Sequence, residues 1–337
     1  MRVALTFDLR SDYLGQGLND EQLAEFDDED TILAIDDALQ RLGHSTVRVG
    51  NLTALLPRLS AGERWDLVFN IAEGRHGMAR EAQIPALLDA HRLPYTFSEP
   101  LVLALALDKA KCKRVVASFG VATPSFSVIH GTDDLARLNL PWPVFAKPLA
   151  GGTSAGISSA SLAHDAEALK AVCVDLLARF AQPVLVEAYL PGREFTVGIV
   201  GSGIAARVLG VMEILLRPGA EPGLYSFANK RAYTERVSYR LLEDAVEDGA
   251  LAQTLCQQAL RVWNGLDCRD AGRIDFRCDA VGQPQFLEIN PLAGLHPVDS
   301  DLVILCRLAG IGHAELIGMI IASALERLPS APPRGAA

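Results

Sequence analysis

Four polar side chains in one short stretch could together handle a phosphorylated ligand. Residues 271–294 read A-G-R-I-D-F-R-C-D-A-V-G-Q-P-Q-F-L-E-I-N-P-L-A-G. Ile274 and Phe276 alternate with Asp275, and Phe286, Leu287 and Ile289 flank Glu288, which reads as two strands joined near Val281-Gly282. Pairing the strands brings Asp275 close to Glu288 and Asn290. Three oxygen ligands of this kind suit Mg²⁺, a hard cation that keeps waters and shares phosphate oxygens. Arg273 adds a fixed positive charge beside them. The same pattern also fits a surface hairpin whose acids face water.

A second stretch, residues 147–156, reads K-P-L-A-G-G-T-S-A-G. Its glycines let backbone N–H groups approach an anion, and Lys147 at a strand end supplies charge. The lysine precedes the glycines, so this is not the G-x-x-x-x-G-K-[ST] loop, and an ordinary hairpin turn fits it as well. Glu187 and Glu194 flank the turn between two further strands, a placement that also suits exposed strand-end carboxylates. The loop after Asn70 carries Glu73, Gly74, His76 and Gly77. Residues 217–240 read as a long irregular stretch with Tyr225, Lys230, Arg231 and Tyr233, the kind of segment that forms lids.

The elements around these residues alternate in type. Strands are expected at 2–7, 45–49 and 67–70, with helices at 30–42 and 79–90 between and after them. This βα alternation predicts a parallel sheet with helices on its faces, and ligands gather at the carboxyl ends of such strands. The Glu73 loop is therefore a candidate site wall. Further on, one helix is expected over 99–119, carrying Asp108 and Lys109, and others over 241–266, 299–309 and 314–327. Short strands lie between them, one of them over 205–216. The class is α/β with α+β elements. The Pro/Ala/Gly tail, 329–337, reads as disordered.

The 337 residues allow two or three domains. Half are apolar and 21% charged, so the chain is globular and not disordered. A net charge of −10 argues against a general nucleic-acid binder. The acidic run N-D-E-Q-L-A-E-F-D-D-E-D at 19–30 reads as a solvated loop and helix start. Six cysteines without C-x-x-C spacing read as reduced, mostly buried thiols. The first residues form a strand and lack the apolar core of a signal peptide, and the apolar run at 101–107 is too short to span a bilayer. The expectation is a soluble, cytoplasmic protein with no membrane partner.

Together, V-F-N-I-A-E-G-R-H-G, P-Y-T-F-S with the later D-K, K-P-L-A-G-G-T-S-A-G, V-E-A-Y-L-P-G-R-E-F-T-V, A-G-R-I-D-F and L-E-I-N-P-L-A-G resemble the D-alanine–D-alanine ligase family of ATP-grasp enzymes. The resemblance covers roughly residues 65 to 312. It implies an ATP-grasp fold with three parts: an N-terminal Rossmann-like domain (1–96), a central ATP-grasp subdomain (97–182) and a C-terminal one (183–328), with ATP between the last two. Carried over residue by residue, Lys109 and Lys147 hold ATP phosphates, and Gly152, Thr153, Ser154 and Gly156 belong to the loop over them. Glu187, Ala188 and Leu190 meet adenine and Glu194 the ribose. Lys230 is the mobile-loop lysine. Asp275, Glu288 and Asn290 are ligands of Mg²⁺, or of Mn²⁺ in its place, and Arg273 stabilises the transferred phosphate and the oxyanion. The implied reaction joins a carboxylate to an amine through an acyl phosphate, with amino acids or related small molecules as substrates, and the family implies a homodimer.

The resemblance thins where the family recognises its amino acids. The usual His after the third strand is Glu73. The tyrosine after the loop lysine is Arg231. The serine that meets the second substrate's carboxylate falls at Asp299, within P-L-A-G-L-H-P-V-D-S. An Asp there would repel a carboxylate, so Asp299 either binds a cationic group or pairs with Arg231 as a bridge. Gly294 and His296 are candidates for the same pocket. The family's early glutamate has no clear counterpart, with Glu29 or Asp30 as stand-ins. These departures favour an altered amino-acid pair. The alternatives are a D-alanine–D-alanine ligase of cell-wall synthesis, a nucleotide-binding module without catalysis, and another ATP-grasp reaction such as carboxylation.

Overall fold

A computed structural model describes residues 1–221, 223, 225–242 and 248–328. The expected disordered tail at 329–337 and the stretch 243–247 of the expected 241–266 helix lie outside the described residues. The first sheet has three parallel strands, β1 (Arg2–Thr6), β2 (Ser45–Gly50) and β3 (Leu67–Asn70), in the order β2-β1-β3. Val3, Ala4 and Leu5 are fully buried, as befits a central strand covered on both faces. The expected helices appear as Glu29–Arg41 and as Gln83–Ala90, the latter preceded by a single 3₁₀ turn, Arg80–Ala82.

Sequence reasoning missed the helix Leu52–Ser60, whose Pro57 reads as a breaker. Pro57 is tolerated near the end of a short helix that Asn51 caps by accepting from the amides of Thr53 and Ala54.

Two antiparallel sheets follow. One contains β4 (Phe126–Ile129), β5 (Val144–Pro148), β6 (Leu162–Ala163) and β7 (Val184–Ala188), in the order β4-β7-β5-β6. The other contains β8 (Glu194–Val200), β9 (Arg207–Leu216), β10 (Val237–Leu241), β11 (Ala271–Cys278) and β12 (Pro284–Asn290), in the order β10-β9-β8-β11-β12. The hairpin expected from residues 271–294 is β11–β12, with Asp275 opposite Glu288 and Arg273 opposite Asn290. Gly272 has to be glycine, because a Cβ there would meet the Asn290 carbonyl at 2.6 Å and Trp263 at 2.7 Å.

Two other expectations are corrected. The single helix over 99–119 is two, Pro100–Leu107 and Lys109–Ser118. Asp108 breaks it with extended backbone and caps the second helix by accepting from the Lys111 amide. The stretch 217–240 is not simply irregular. Ser226 caps a helix, Phe227–Arg231, a further turn covers Tyr233–Arg236, and β10 pairs along β9. The alternation of Val237, Tyr239 and Leu241 was the overlooked strand signal.

One core joins the two ends of the chain. Val3, Leu5, Ile32, Ile35 and Leu39 pack with Leu302, Leu305, Leu316, Ile317 and Ile320 from the helices Asp301–Leu308 and His313–Glu326. This packing brings the loops that leave β1 and β3 up against the residues that leave β12. Among the described residues no single helix is long and apolar enough to cross a membrane. The bent pair Asp301–Leu308 and His313–Glu326 reaches that length only jointly and belongs to this core. Among the described residues no disulfide joins the cysteines, and five of the six are buried.

Candidate active site

Three neighbouring hollows line up along the chain's polar residues. The smallest, about 90 Å³, is an apolar slot between Phe145, Ile157, Ala188, Tyr189, Leu190 and Leu287. Leu190 is buried. Arg277 closes the rim: it pairs with Glu194 at 3.2 Å and donates to the Tyr189 hydroxyl and the Gly223 carbonyl. A flat apolar slot with a few polar groups at its edge suits a planar heterocycle.

The charged floor next to the slot follows from strand register. Glu187 sits opposite Phe145, so Lys147, two residues on, shares its face. Glu187 reaches Lys147 at 2.8 Å and the fully buried Lys113 at 3.1 Å. Lys113 also donates to Thr123 Oγ1 and the Phe286 carbonyl. Burial pushes the Glu187 carboxyl up, but the two lysines outweigh it and hold it below the usual range. Sequence reasoning missed Lys113. Its signal was a third lysine in D-K-A-K-C-K, spaced four residues from Lys109 and so on the same helix face.

Lys109 opens its helix directly after the Asp108 cap. It donates to the Gly151 carbonyl and pairs with Glu288 at 3.4 Å. The glycine-rich loop beside it turns through Gly151, Thr153, Ser154 and Gly156, all at positive φ. For Thr153 and Ser154 this backbone costs energy, a pattern concentrated at ligand clamps. The loop already behaves as an anion receptor. Its Gly152 amide donates to Glu25 at 2.6 Å and its Gly156 amide to Glu21 at 3.0 Å. The acidic run at 19–30 is therefore not merely solvated, because Glu21 and Glu25 reach across to this loop. Leu23 and Phe26 anchor the run by packing on Tyr13, and their apolar spacing was the signal to read.

Beyond the loop lies a cavity of about 290 Å³. Glu288 and Asn290 line it, and Asp275, which borders the apolar slot, sits opposite Glu288 and accepts from Asn290. Arg273 contacts Asp275 and lies 3.6 Å from Asp301. Burial raises the Glu288 carboxyl, but Lys109, Lys147 and Arg273 hold it at about 2. Asp275 goes the other way: burial raises it, and the nearby Glu288 charge adds to that against Arg273. Two carboxylates and an amide in one corner, one of them under strain as an anion, fit a hard divalent cation. Among the described residues no group of three His, Cys, Asp or Glu side chains is placed to hold a metal.

Lys230, from the Ser226-capped helix, pairs with Asp301 at 2.8 Å, and Tyr225 donates to the same carboxylate at 3.0 Å. Asp301 is buried and binds Lys230, Arg273 and Tyr225 together, a hub missed because an Asp opening an apolar helix reads as a cap.

The remaining candidates separate. Gly294, His296 and Asp299 line the cavity. Asp299 accepts from the Tyr233 hydroxyl at 2.9 Å, and its amide donates to His296 Nδ1. Arg231 faces away, exposed over the Phe227 ring and 3.8 Å from Asp20, so the Arg231–Asp299 bridge does not form. Glu29 pairs with Arg48 and Asp30 is exposed, so neither lines the cavity, whereas Glu25 does. His76 is exposed.

Glu73 lines the cavity beside Glu81, to which it is hydrogen-bonded. The turn that delivers it requires Gly74. That residue sits at φ +70°, a Cβ would meet the Arg80 carbonyl at 2.6 Å, and its amide donates to Asp8. Burial pushes Glu81 up to about 7, and burial also pushes Asp27 to about 7. As pH rises through roughly 5 to 7 the unfolded chain gives up these protons more readily than the folded one. The folded state then binds more protons, and its stability falls with pH. Glu81→Gln is therefore expected to raise the melting temperature at pH 8 by roughly 2–4 °C and to change it little at pH 4.5. A melting series across pH checks this.

An apolar slot, two lysines beside a glycine-rich loop and an acidic hairpin, set among two antiparallel sheets, are the arrangement of an ATP-grasp enzyme. The D-ala D-ala ligase C-terminus family matches residues 115–322. The D-alanine–D-alanine ligase of Aquifex aeolicus is 32% identical over 292 residues, covering 86% of this chain and 92% of that one. The chain belongs to the D-alanine–D-alanine ligase family, and it is an ATP-dependent ligase. The fold agrees over nearly the whole length. The crystal structure of the Bacillus anthracis D-alanine–D-alanine ligase complexed with ATP superposes with a TM-score of 0.71 at 20% identity, covering 97% of this chain and 98% of that one. The VanG D-Ala:D-Ser ligase of Enterococcus faecalis gives 0.71 at 18% identity, covering 96% and 99%.

Proposed function

We propose that this ligase joins two amino acids, or an amino acid and an amine, through an acyl phosphate, and that its pair is not two plain D-alanines. The carrying observation is the acidic lining of the cavity, where Glu73 and Asp299 stand at the positions that the resemblance gives to a histidine and a serine, with Glu81 beside them. We assign residues 1–96, 97–182 and 183–328 to three domains, with adenine in the Ala188–Leu190 slot and Glu194 at its ribose edge.

Lys109, Lys147 and the amides of Gly152 to Gly156 would bind the phosphates once Glu25 and Glu21 give way. Lys230 would leave Asp301 to meet the γ-phosphate. Asp275, Glu288 and Asn290 would hold Mg²⁺, which when bound neutralises charge on the phosphates and polarises the transferring phosphorus. A substrate carboxylate is a poor acyl donor until phosphorylated. Arg273 would steady the transferring group and then the tetrahedral oxyanion. An amine attacks, and phosphate leaves as the amide bond forms.

A second reading, a D-alanine–D-alanine ligase proper, has its own support in the Aquifex aeolicus relative, which matches over most of both chains. The test is phosphate release from Mg·ATP with D- and L-amino acids, singly and in pairs, with product masses recorded. Turnover with D-alanine alone, giving its dimer, favours the second reading. Turnover only with another pair favours the first. On the first reading, Asp299→Ser is expected to raise D-alanine dimer formation about tenfold, since it removes a like charge from the acceptor's carboxylate. An unchanged product profile removes Asp299 from the specificity set.

A further inference from the structure

Three charged residues share one face of β11. Arg273, Asp275 and Arg277 alternate along it, about 7 Å from one to the next. Arg273 and Asp275 are the proposed contacts of the transferring phosphate and the cation. Arg277 follows them along the strand and lines the apolar slot. Strand register sets it opposite Glu194 on β8, and the two side chains, both largely buried, pair at 3.2 Å. Nη1 of Arg277 donates to Glu194 Oε2. Nη2 donates to the Gly223 carbonyl at 2.8 Å and to the Tyr189 hydroxyl at 3.3 Å, and the guanidinium lies 5.2 Å from the centre of the Tyr189 ring. Gly223 sits at φ +70°, and a Cβ there would meet the Tyr189 hydroxyl at 2.7 Å, so the contact needs a glycine. A planar cation fixed by several partners has little freedom to swing, and the carboxylate oxygen that it holds is fixed with it. Among the described residues no other hydrogen bond or ion pair reaches the Glu194 carboxylate, so Oε1 is left for a ligand.

We propose that Arg277 is a positioning residue of the nucleotide site: it holds the Glu194 carboxylate for the ribose hydroxyls and so sets how strongly this enzyme prefers a ribonucleotide to a deoxyribonucleotide. The inference rests on the assignment of the ribose edge to Glu194. A hydroxyl gains most from a carboxylate that is ionised and already aimed at it. Arg277 supplies both conditions. Its bond to Oε2 fixes the direction in which Oε1 points. Burial raises the Glu194 carboxyl, with Asp275 and Glu288 adding to the rise, while Arg277 and Lys147 act against it. An apolar side chain at 277 would leave Glu194 free to turn and readier to take up a proton. The bond to the ribose would weaken, whereas a nucleotide without that hydroxyl has no such bond to lose. Arg277 therefore acts on the preference between the two sugars, beyond its packing in the wall of the slot.

The test is calorimetric titration of the full chain, in Mg²⁺, with ADP, 2′-deoxy-ADP and 3′-deoxy-ADP, none of which requires the amino-acid substrates. The parent is expected to bind ADP about tenfold or more tighter than at least one deoxy analogue. Arg277→Met should weaken ADP by about tenfold and that analogue by about threefold or less, so that the preference shrinks. Arg277→Lys keeps a charge but loses the fork, and should fall between the two. Glu194→Gln should lose the preference as well, and adding Arg277→Met to it should lower the preference no further, since Arg277 acts through that carboxylate. Melting curves show which variants are folded at the titration temperature. Equal binding of all three nucleotides to the parent overturns the proposal. So does an Arg277→Met variant that weakens ADP and the deoxy analogues alike, which is the result of lost packing. If the methionine variant does not fold, a parental preference in Arg277→Lys overturns it instead. A preference lost in Glu194→Gln but kept in Arg277→Met removes this inference and leaves the ribose at Glu194. A preference that survives both variants removes the ribose assignment and this inference together.

Discussion

Arg273→Met is expected to lower kcat by about a thousandfold, the upper end of what one oxyanion donor contributes. The loss should fall on kcat and on kcat/KM alike, because in the role we propose the guanidinium meets charge that develops only as the phosphoryl group moves and the tetrahedral centre forms. Stability should suffer much less. Asp301 keeps Lys230 and Tyr225, and Asp275 keeps Thr196 and Asn290. Asp275 can also take up a proton, since burial has already raised it. Arg273→Lys keeps a charge but loses the fork that spans Asp275 and Asp301, and should recover only part of the rate. Steady-state phosphate release at saturating substrates, with melting curves beside it, checks both variants. A methionine variant within tenfold of the parent would remove Arg273 from the chemistry.

The sequence made the hairpin legible because strand periodicity is local. Asp275, Glu288 and Asn290 fall on paired strands whose alternation is plain in the chain, although the pairing set by the turn at Gly282 shifts by one residue at a bulge between Asp275 and Phe276, which brings Glu288 opposite Asp275. The three parallel strands were legible for the same reason. Residues whose meaning is tertiary were hidden. Glu25 and Glu21 lie in a charged run that looks solvated, yet they reach a loop more than 120 residues away because Phe26 and Leu23 fasten the segment to Tyr13. Asp301 looks like a helix cap until the shared core carries its helix beside Arg273 and Lys230. The Arg231–Asp299 bridge failed on direction. Arg231 follows Lys230 by one residue, so on a helix the two side chains point about 100° apart, and only Lys230 turns inward. The break at Asp108 was legible in principle, since a D-K after an apolar run is a cap signal. The long apolar stretch before it masked the boundary.

Lys113→Met should be the most damaging change outside the cavity. The ammonium is fully buried and ties three elements together: the helix that begins at Lys109, the Thr123 segment and β12 through the Phe286 carbonyl. Its third polar contact is Glu187, a carboxylate 3% exposed whose other partner is Lys147. Methionine fills the volume but leaves Glu187 with one lysine in place of two. Breaking a buried pair on one side costs about 3–5 kcal/mol, because the remaining charge has no water to turn to. The functional consequence is separate from the loss of stability. Glu187 draws Lys147 to its place beside the apolar slot that we assign to adenine, and with Lys113 gone it can follow Lys147 alone. The KM for ATP is then expected to rise by about tenfold at a temperature where the variant is still folded. Lys113→Arg restores the charge in a larger, planar group, and should regain part of the ATP affinity even if packing remains poor. Chemical unfolding midpoints and ATP titrations on the two variants separate these effects. If both lose stability equally while the KM for ATP stays at the parental value in each, Lys113 holds the fold together and has no part in positioning Lys147.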